Sequence, residues 1–168
     1  MSYAELQVTS NFSFLRGGSH ADELAISAAA LGLTAIAITD RNSLAGVVRA
    51  HSAAKTAGIR LLVGARLDLQ SGLSLLCFPT DRAAYGRLSQ LLTTGRRRAP
   101  KGECWLELDD VLGHDEGQIF VVLPPAEPDQ AFIEQLHRLG ETWPGHCYLA
   151  GHYLYSGDDR RRLACLAG

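Results

Sequence analysis

Short apolar segments alternate with helical patterns along the chain, and this alternation restricts the fold more than any other feature of the sequence. The strand patterns cover residues 3–9, 34–39, 59–69, 73–78, 118–123 and 147–150. The helical patterns cover residues 21–31, 44–57, 80–95, 106–112, 129–139 and 158–166, with Ser19 and Thr80 as predicted N-caps. Short apolar strands that are joined through helices are typical of parallel β-α-β units. The pattern therefore predicts an α/β fold whose functional residues lie at the carboxyl ends of the strands.

The composition is that of one soluble domain. The chain has 168 residues, of which 46% are hydrophobic and 20% are charged, so it can bury a core of ordinary size. No apolar run reaches the roughly 18 residues that span a bilayer, and no signal peptide opens the chain. These features predict a cytoplasmic protein without a membrane partner. The formal net charge of −2 argues against a freestanding nucleic-acid binder, which is usually basic.

Several common functional motifs are absent from the sequence. The four cysteines form no CxxC pair, which predicts reduced thiols rather than a zinc or redox site. Neither GxGxxG nor GxxxxGK[ST] occurs, which argues against the standard dinucleotide and P-loop phosphate sites. Ser10 and Ser13 lack the GxSxG surroundings of a hydrolase nucleophile.

Two segments are more distinctive. Residues 5–13 have the sequence ELQVTSNFS, and residues 37–46 have the sequence AITDRNSLAG. In order and separation they resemble the HxHS and TDHxxLxG motifs of the polymerase and histidinol phosphatase (PHP) family, and residues 58–64, GIRLLVG, continue the fit. Residues 95–104, GRRRAPKGEC, resemble the N-terminal PHP region of bacterial C-family DNA polymerases, above all the error-prone alpha-subunit type. The resemblance covers nearly the whole chain.

This resemblance carries an expectation for the fold. The PHP fold is a distorted (β/α)7 barrel, and complete PHP domains of these polymerases are longer than this chain. The resemblance therefore implies a single PHP-like domain over residues 1–168 with an incomplete barrel. It would stop before the family's last ligand motif and lack the polymerase domains.

The resemblance also identifies a set of site positions. Active PHP sites hold up to three metal ions with His, Asp, Glu and sometimes Cys, which suit metals that generate hydroxide for phosphoester cleavage. The family's ligand positions fall here on Gln7, Thr9, Arg16, Asp40, Arg41 and Arg66. Only the aspartate is retained, and three positions hold arginine, whose guanidinium is always charged and offers no lone pair. We therefore expect a vestigial site without metal, cofactor or catalytic residue in this chain.

The three arginines have more than one interpretation. They could take the place of the metal charge by pairing with Asp40, and with Glu5 or Asp68, in a salt-bridge network at the mouth of the barrel. They could instead bind an oxyanion, because arginine binds such oxygens in a bidentate manner. They could also point into solvent.

A run of basic residues follows the third predicted helix, in a predicted loop over residues 95–102. It contains Arg96, Arg97, Arg98 and Lys101, which could contact DNA phosphates, dock on another polymerase domain, or be solvated. No aromatic residues alternate with these cations, so the sequence does not predict a stacking platform for single-stranded DNA.

The leading functional interpretation is a noncatalytic PHP-like domain of an error-prone polymerase alpha subunit. It would support the polymerase in DNA repair and translesion synthesis, with the other domains of that chain, DNA and accessory translesion proteins as partners. The parent resembles a DNA-directed nucleotidyltransferase, and the sequence leaves open whether this chain has an activity of its own. One alternative is a metal-dependent phosphoesterase or 3′–5′ exonuclease that uses His20, Asp40 and His51 in a rearranged site. The other is an oxyanion-binding α/β module.

Overall fold

The computed structural model describes residues 3–153, 155 and 157–167, which form an α/β fold. The strands are β1 (Ala4–Val8), β2 (Ala35–Ile38), β3 (Arg60–Val63), β4 (Ala65–Asp68), β5 (Ser74–Pro79), β6 (Gln118–Leu123) and β7 (Cys147–Leu149). The helices are α1 (Ala21–Ala30), α2 (Val47–Ala57), α3 (Arg82–Arg98), α4 (Leu108–Leu112), α5 (Gln130–Thr142) and α6 (Asp159–Ala167). The predicted α/β class is confirmed.

The first sheet has the strand order β1-β2-β3, and its strands are parallel. The central strand β2 is buried along its whole length, which matches its uninterrupted apolar sequence. The helices α1 and α2 pack against each other and against this sheet through small side chains, among them Ala25 and Ala50, which are both fully buried. This part of the fold agrees with the predicted parallel β-α-β units.

The second sheet differs from that prediction. It has the order β4-β5-β6-β7, with antiparallel pairing between the first three strands and parallel pairing only between β6 and β7. Its core holds the buried side chains of β4 to β6 together with those of α3 and α5. Phe120 and Trp143 stack there with ring centroids 4.1 Å apart.

The chain passes from one sheet to the other at Gly64. The sequence predicted a single strand over residues 59–69, but β3 belongs to the first sheet and β4 to the second. A Cβ atom at residue 64 would lie only 2.7 Å from the ring of Phe78, so the close approach of this ring requires glycine. The sequence did not show this break because both halves contain apolar residues of the strand type and no polar turn separates them.

Backbone hydrogen bonds connect the two sheets on one side of the molecule. The backbone N–H of Arg66 donates to the carbonyl of Asp40 at 3.0 Å, and that of Asn42 donates to the carbonyl of Arg66 at 2.7 Å. On the other side, β1 and β7 are the outer strands, and a cleft of about 1370 Å³ opens between them. Among the described residues the strands do not close into a barrel.

The predicted basic loop over residues 95–102 is wrong in its first half, because α3 continues to Arg98. Gly95 is not a helix end. It is buried inside α3, where a Cβ atom would lie 2.6 Å from Leu106.

The predicted N-caps are also displaced by one residue, since His20 and Asp81 occupy these positions.

Two further features of the chain are its helix lengths and its cysteines. In the described part of the chain, no helix has both the length and the apolar character needed to cross a bilayer. Cys77 is buried and Cys104 and Cys147 are half-buried, and all three thiols are free. The side chain of Cys165 lies outside the described residues.

Candidate functional site

Asp40, the retained acidic residue, lies immediately after β2 and is only 1% exposed. Its Oδ1 atom accepts hydrogen bonds from the backbone N–H of Ser10 at 2.8 Å and from the hydroxyl of Ser13 at 2.7 Å. Its Oδ2 atom accepts one from the hydroxyl of Ser10 at 2.7 Å. Both carboxylate oxygens are therefore engaged with uncharged donors. The predicted pairing of Asp40 with the arginines is wrong, because two serines of the loop after β1 enclose it.

The arginines at two other ligand positions meet at Asp68, at the end of β4. The Nε of Arg66 donates to Oδ1 of Asp68 at 2.7 Å, and a guanidinium nitrogen of Arg41 lies 3.1 Å from Oδ2. The hydroxyl of Ser74 also donates to Oδ1 at 2.7 Å and accepts from Arg66 at 3.0 Å. A salt-bridge cluster therefore exists here, with Asp68 as its carboxylate.

The pKa values reflect this arrangement. Burial raises the pKa of Asp68, but the hydrogen bonds from Ser74 and Arg66 and the charges of Arg66 and Arg41 outweigh burial, so the pKa lies below its usual range. Burial is also the largest cause of a lowered pKa at Arg41; Asp68 opposes it, whereas the charges of Arg66 and Arg16 add to it. Arg16 therefore lies close enough to Arg41 for repulsion.

Gln7 has a partner that the sequence did not indicate. Its Oε1 atom lies 2.7 Å from Nε2 of His152, which follows β7. The bond joins β1 to the segment that follows β7, and both residues line the large cleft together with Arg66. Burial is the largest cause of a lowered pKa at His152, and the charges of Arg162 and Arg66 add to it against the influence of Glu5. The sequence does not indicate this contact, because the two residues are 145 positions apart.

The two remaining site positions, Thr9 and Arg16, differ in exposure. Thr9 is half-buried, and Arg16 is exposed on the loop after β1. Arg16 and Arg41 line a second, smaller pocket, whereas Arg66 lines the large cleft. Apart from Thr9, the positions are thus spread over a buried anchor, an ion-pair cluster and two cavities.

The basic run does not act as one patch. Arg98 forms two hydrogen bonds with Asp110, at 2.7 and 2.9 Å, and Arg96 donates to the carbonyl of Asn42 at 2.9 Å. Arg96 and Lys101 line the smaller pocket together with Arg16 and Arg41, whereas Arg97 and Arg98 do not.

The donor set does not fit the metal ions of an active PHP site. Arg41 and Arg66 occupy ligand positions with permanent charge, and both oxygens of Asp40 already accept hydrogen bonds. Within the residues that the structure describes, no three His, Cys, Asp or Glu side chains are grouped so that they could hold a metal ion. His20 and His51 therefore do not form a rearranged ligand group with Asp40 there.

A family model described as "PHP domain" matches residues 5–140, most of the chain and both sequence motifs. The chain belongs to the PHP domain family. The PHP domain is 57% identical over 165 residues to an error-prone DNA polymerase of Caulobacter vibrioides. It is 50% identical over 163 residues to error-prone DNA polymerase 2 of Agrobacterium fabrum. These matches cover 98% and 97% of this chain, and the chain spans about 15% of the length of each relative, in its N-terminal part.

Solved structures support the same fold. An amidohydrolase from Chromobacterium violaceum, solved with bound sulfate and no metal, matches with a TM-score of 0.73 and 18% identity, over 98% of this chain and 82% of that chain. A protein from Bifidobacterium adolescentis that is described as a metal-dependent phosphoesterase matches with a TM-score of 0.72 and 16% identity, over 99% and 83% of the two chains. At such identities the likeness concerns the fold alone.

Proposed function

We propose that this PHP domain is a noncatalytic part of an error-prone DNA polymerase alpha subunit and supports the neighbouring polymerase domains. The observation that carries the proposal is the pair of guanidiniums at Asp68, from positions where the resemblance implies metal ligands. A fixed positive cluster can hold the strand ends together as metal ions do, but it cannot generate a hydroxide nucleophile. The identity of about 50% or more to error-prone polymerases supports the assignment to such a parent.

The proposal includes the completion of the barrel. The cleft between β1 and β7 is bounded by two outer strands, each with one unpaired edge. In the parent chain, segments outside residues 1–168 would cover these edges. The hydrogen bond between Gln7 and His152 would then lie inside the finished domain.

The proposed setting is that of the parent polymerase. We assign it to the cytoplasm and to DNA repair and translesion synthesis, with nucleotidyl transfer performed by domains outside this chain. Its partners are those domains and, beyond them, accessory translesion proteins. The chain itself is assigned no cofactor.

The first experiment is elemental metal analysis of the chain purified without chelator, repeated after incubation with excess Zn²⁺ and Mn²⁺. We expect substoichiometric metal in both samples and no hydrolysis of p-nitrophenyl phosphate or of a labelled oligonucleotide, because the arginines repel divalent cations. One or more tightly bound ions per chain, with a nuclease activity that is lost in Asp40→Ala, would contradict the proposal and favour the exonuclease alternative.

The supporting role is tested in the parent polymerase. There, Asp68→Ala should lower the melting temperature of the whole enzyme, since it leaves two guanidiniums without a carboxylate. Glu127→Ala, at an exposed loop position, is the matched control. An unchanged melting temperature in Asp68→Ala would argue that the PHP domain does not stabilise its neighbours through this cluster.

A further inference from the structure

The smaller pocket is built from three separate parts of the chain. Phe12, Phe14 and Arg16 come from the loop after β1, Arg41 follows β2, and Arg96 and Lys101 come from the end of α3 and the turn after it. Its volume is about 650 Å³, which lies within the range of small-molecule sites and is large enough for one or two nucleotides. We call this cavity the Phe14–Arg16 pocket.

The pocket holds more positive than negative charge. Four cations line it, against the two carboxylates of Asp68 and Glu103. Asp68 is already shared between Arg66 and Arg41, and Glu103 accepts a hydrogen bond from the indole of Trp105 at 2.8 Å. Within the described part of the chain, Arg16 forms no ion pair. The surplus charge favours an anionic ligand.

Lys101 and Arg96 add to this surplus. No carboxylate among the described residues lies within ion-pair distance of Lys101, and Arg96 binds only a backbone carbonyl. Arg41 uses one nitrogen for Asp68, which leaves other guanidinium donors for a ligand. The four cations come from three separate segments of the chain, and contacts to several oxygens of a phosphate chain need such a set.

The pocket also presents aromatic rings. Phe12 is 41% exposed and Phe14 is 84% exposed, although such rings are normally buried. The conformation of their loop is fixed by Ser10 and Ser13, which both form hydrogen bonds with the buried Asp40. The exposed rings are therefore presented on a fixed backbone beside the cations.

We propose that the Phe14–Arg16 pocket binds single-stranded DNA, with a base stacked on Phe14 and phosphates on Arg16, Arg41 and Lys101. Exposed aromatic rings beside a cationic groove are the combination by which proteins bind unpaired strands. A duplex hides its base faces and leaves the rings unused, and an acidic peptide offers no flat surface to stack on Phe14. This inference goes beyond the supporting role and does not depend on it.

The test is fluorescence anisotropy of the 168-residue chain with a labelled oligo(dT) of about 15 nucleotides, at low and at moderate salt. We expect Phe14→Ala to weaken binding about fivefold to a hundredfold, as the loss of one stacked base does. Phe14→Trp should restore it. Arg16→Ala and Lys101→Ala should weaken binding and should each reduce the slope of log K against log[salt] by about 0.7, as expected when a single strand loses one phosphate contact.

Matched controls come from the same chain. Leu15→Ala removes an equally exposed apolar side chain from the same loop but outside the pocket, and Arg160→Ala removes an exposed cation from α6. Both variants should bind as the parent chain does. The proposal is overturned if oligo(dT) does not bind, if the controls weaken binding as much as the pocket variants do, or if Phe14→Ala has no effect. Equal or tighter binding of a duplex or of oligo-glutamate of the same length would overturn it as well.

Discussion

Asp40 and Asp68 lie close to the same backbone connection between the two sheets, but their surroundings differ in kind. Asp40 is buried and accepts three hydrogen bonds from two serines, all of them uncharged donors. The side chain of Asp68 is 26% exposed and is bound by two guanidiniums and a serine hydroxyl. One carboxylate is used to fix a loop, and the other neutralises part of a cationic cluster.

The difference shows that two carboxylates near the same strand ends have separate roles, one with uncharged donors and one with guanidiniums. Asp40 has a geometric role that does not need a metal ion. Arg41 and Arg66 bring positive charge that is fixed to the chain, and Asp68 balances it only in part. The cationic surplus then extends over Arg16 into the neighbouring pocket.

The largest expected effect is the loss of stability when the buried Asp40 is replaced. Asp40→Ala leaves the N–H and hydroxyl of Ser10 and the hydroxyl of Ser13 without their acceptor, and each unsatisfied buried donor costs roughly 1–3 kcal/mol. We expect the free energy of unfolding to fall by about 3 kcal/mol in urea denaturation. Glu127→Ala is the control, with no expected change. A loss below about 1 kcal/mol would mean that Asp40 does not anchor the loop.

A smaller effect is expected at the ion-pair cluster. Asp68→Ala should destabilise the chain by about 1–2 kcal/mol at low salt, between the values typical of exposed and of buried pairs. Salt should recover part of this loss, because it screens the repulsion between Arg41 and Arg66. Urea unfolding at low and at high NaCl measures how much of the lost stability salt recovers. A loss that does not depend on salt would indicate a packing defect instead.

The pH dependence of Asp68→Ala sharpens the same comparison. Since the pKa of Asp68 is lowered in the folded chain, its contribution is present above about pH 4 and is lost as the pH falls through the lowered value. The parent chain should therefore lose more stability than Asp68→Ala on acidification below pH 4.

The smallest expected effect is at His152, beside the cluster. Its pKa is lowered, so the unfolded chain binds the proton more readily, and stability should decrease as the pH falls below about 6.5. Arg66→Gln removes one of the cations that lower this pKa, and the imidazole should then titrate at higher pH in an NMR titration. Titration of His152 at or above its ordinary value in the parent chain would contradict this account.

The structure differs from the sequence-based expectation where a long-range contact decided the outcome. The sequence predicts the helix α3 but predicts its end at Gly95, since glycine commonly terminates helices. The packing of Leu106 over this glycine explains why it lies within the helix instead. In the same way the apolar run over residues 59–69 predicted one strand, although Phe78 makes Gly64 the break between two sheets.

The α/β class and the PHP family could be predicted from the sequence alone, because strand and helix periods and motifs are local properties. Which charged side chains form pairs depends on the tertiary structure. It paired Arg41 and Arg66 with Asp68, enclosed Asp40 between two serines, and placed Phe14 beside Lys101. The sequence predicted no stacking platform because Phe12 and Phe14 are about 85 positions away from Arg96 and Lys101 along the chain. Their proximity depends on the tertiary structure, which places both segments at one pocket.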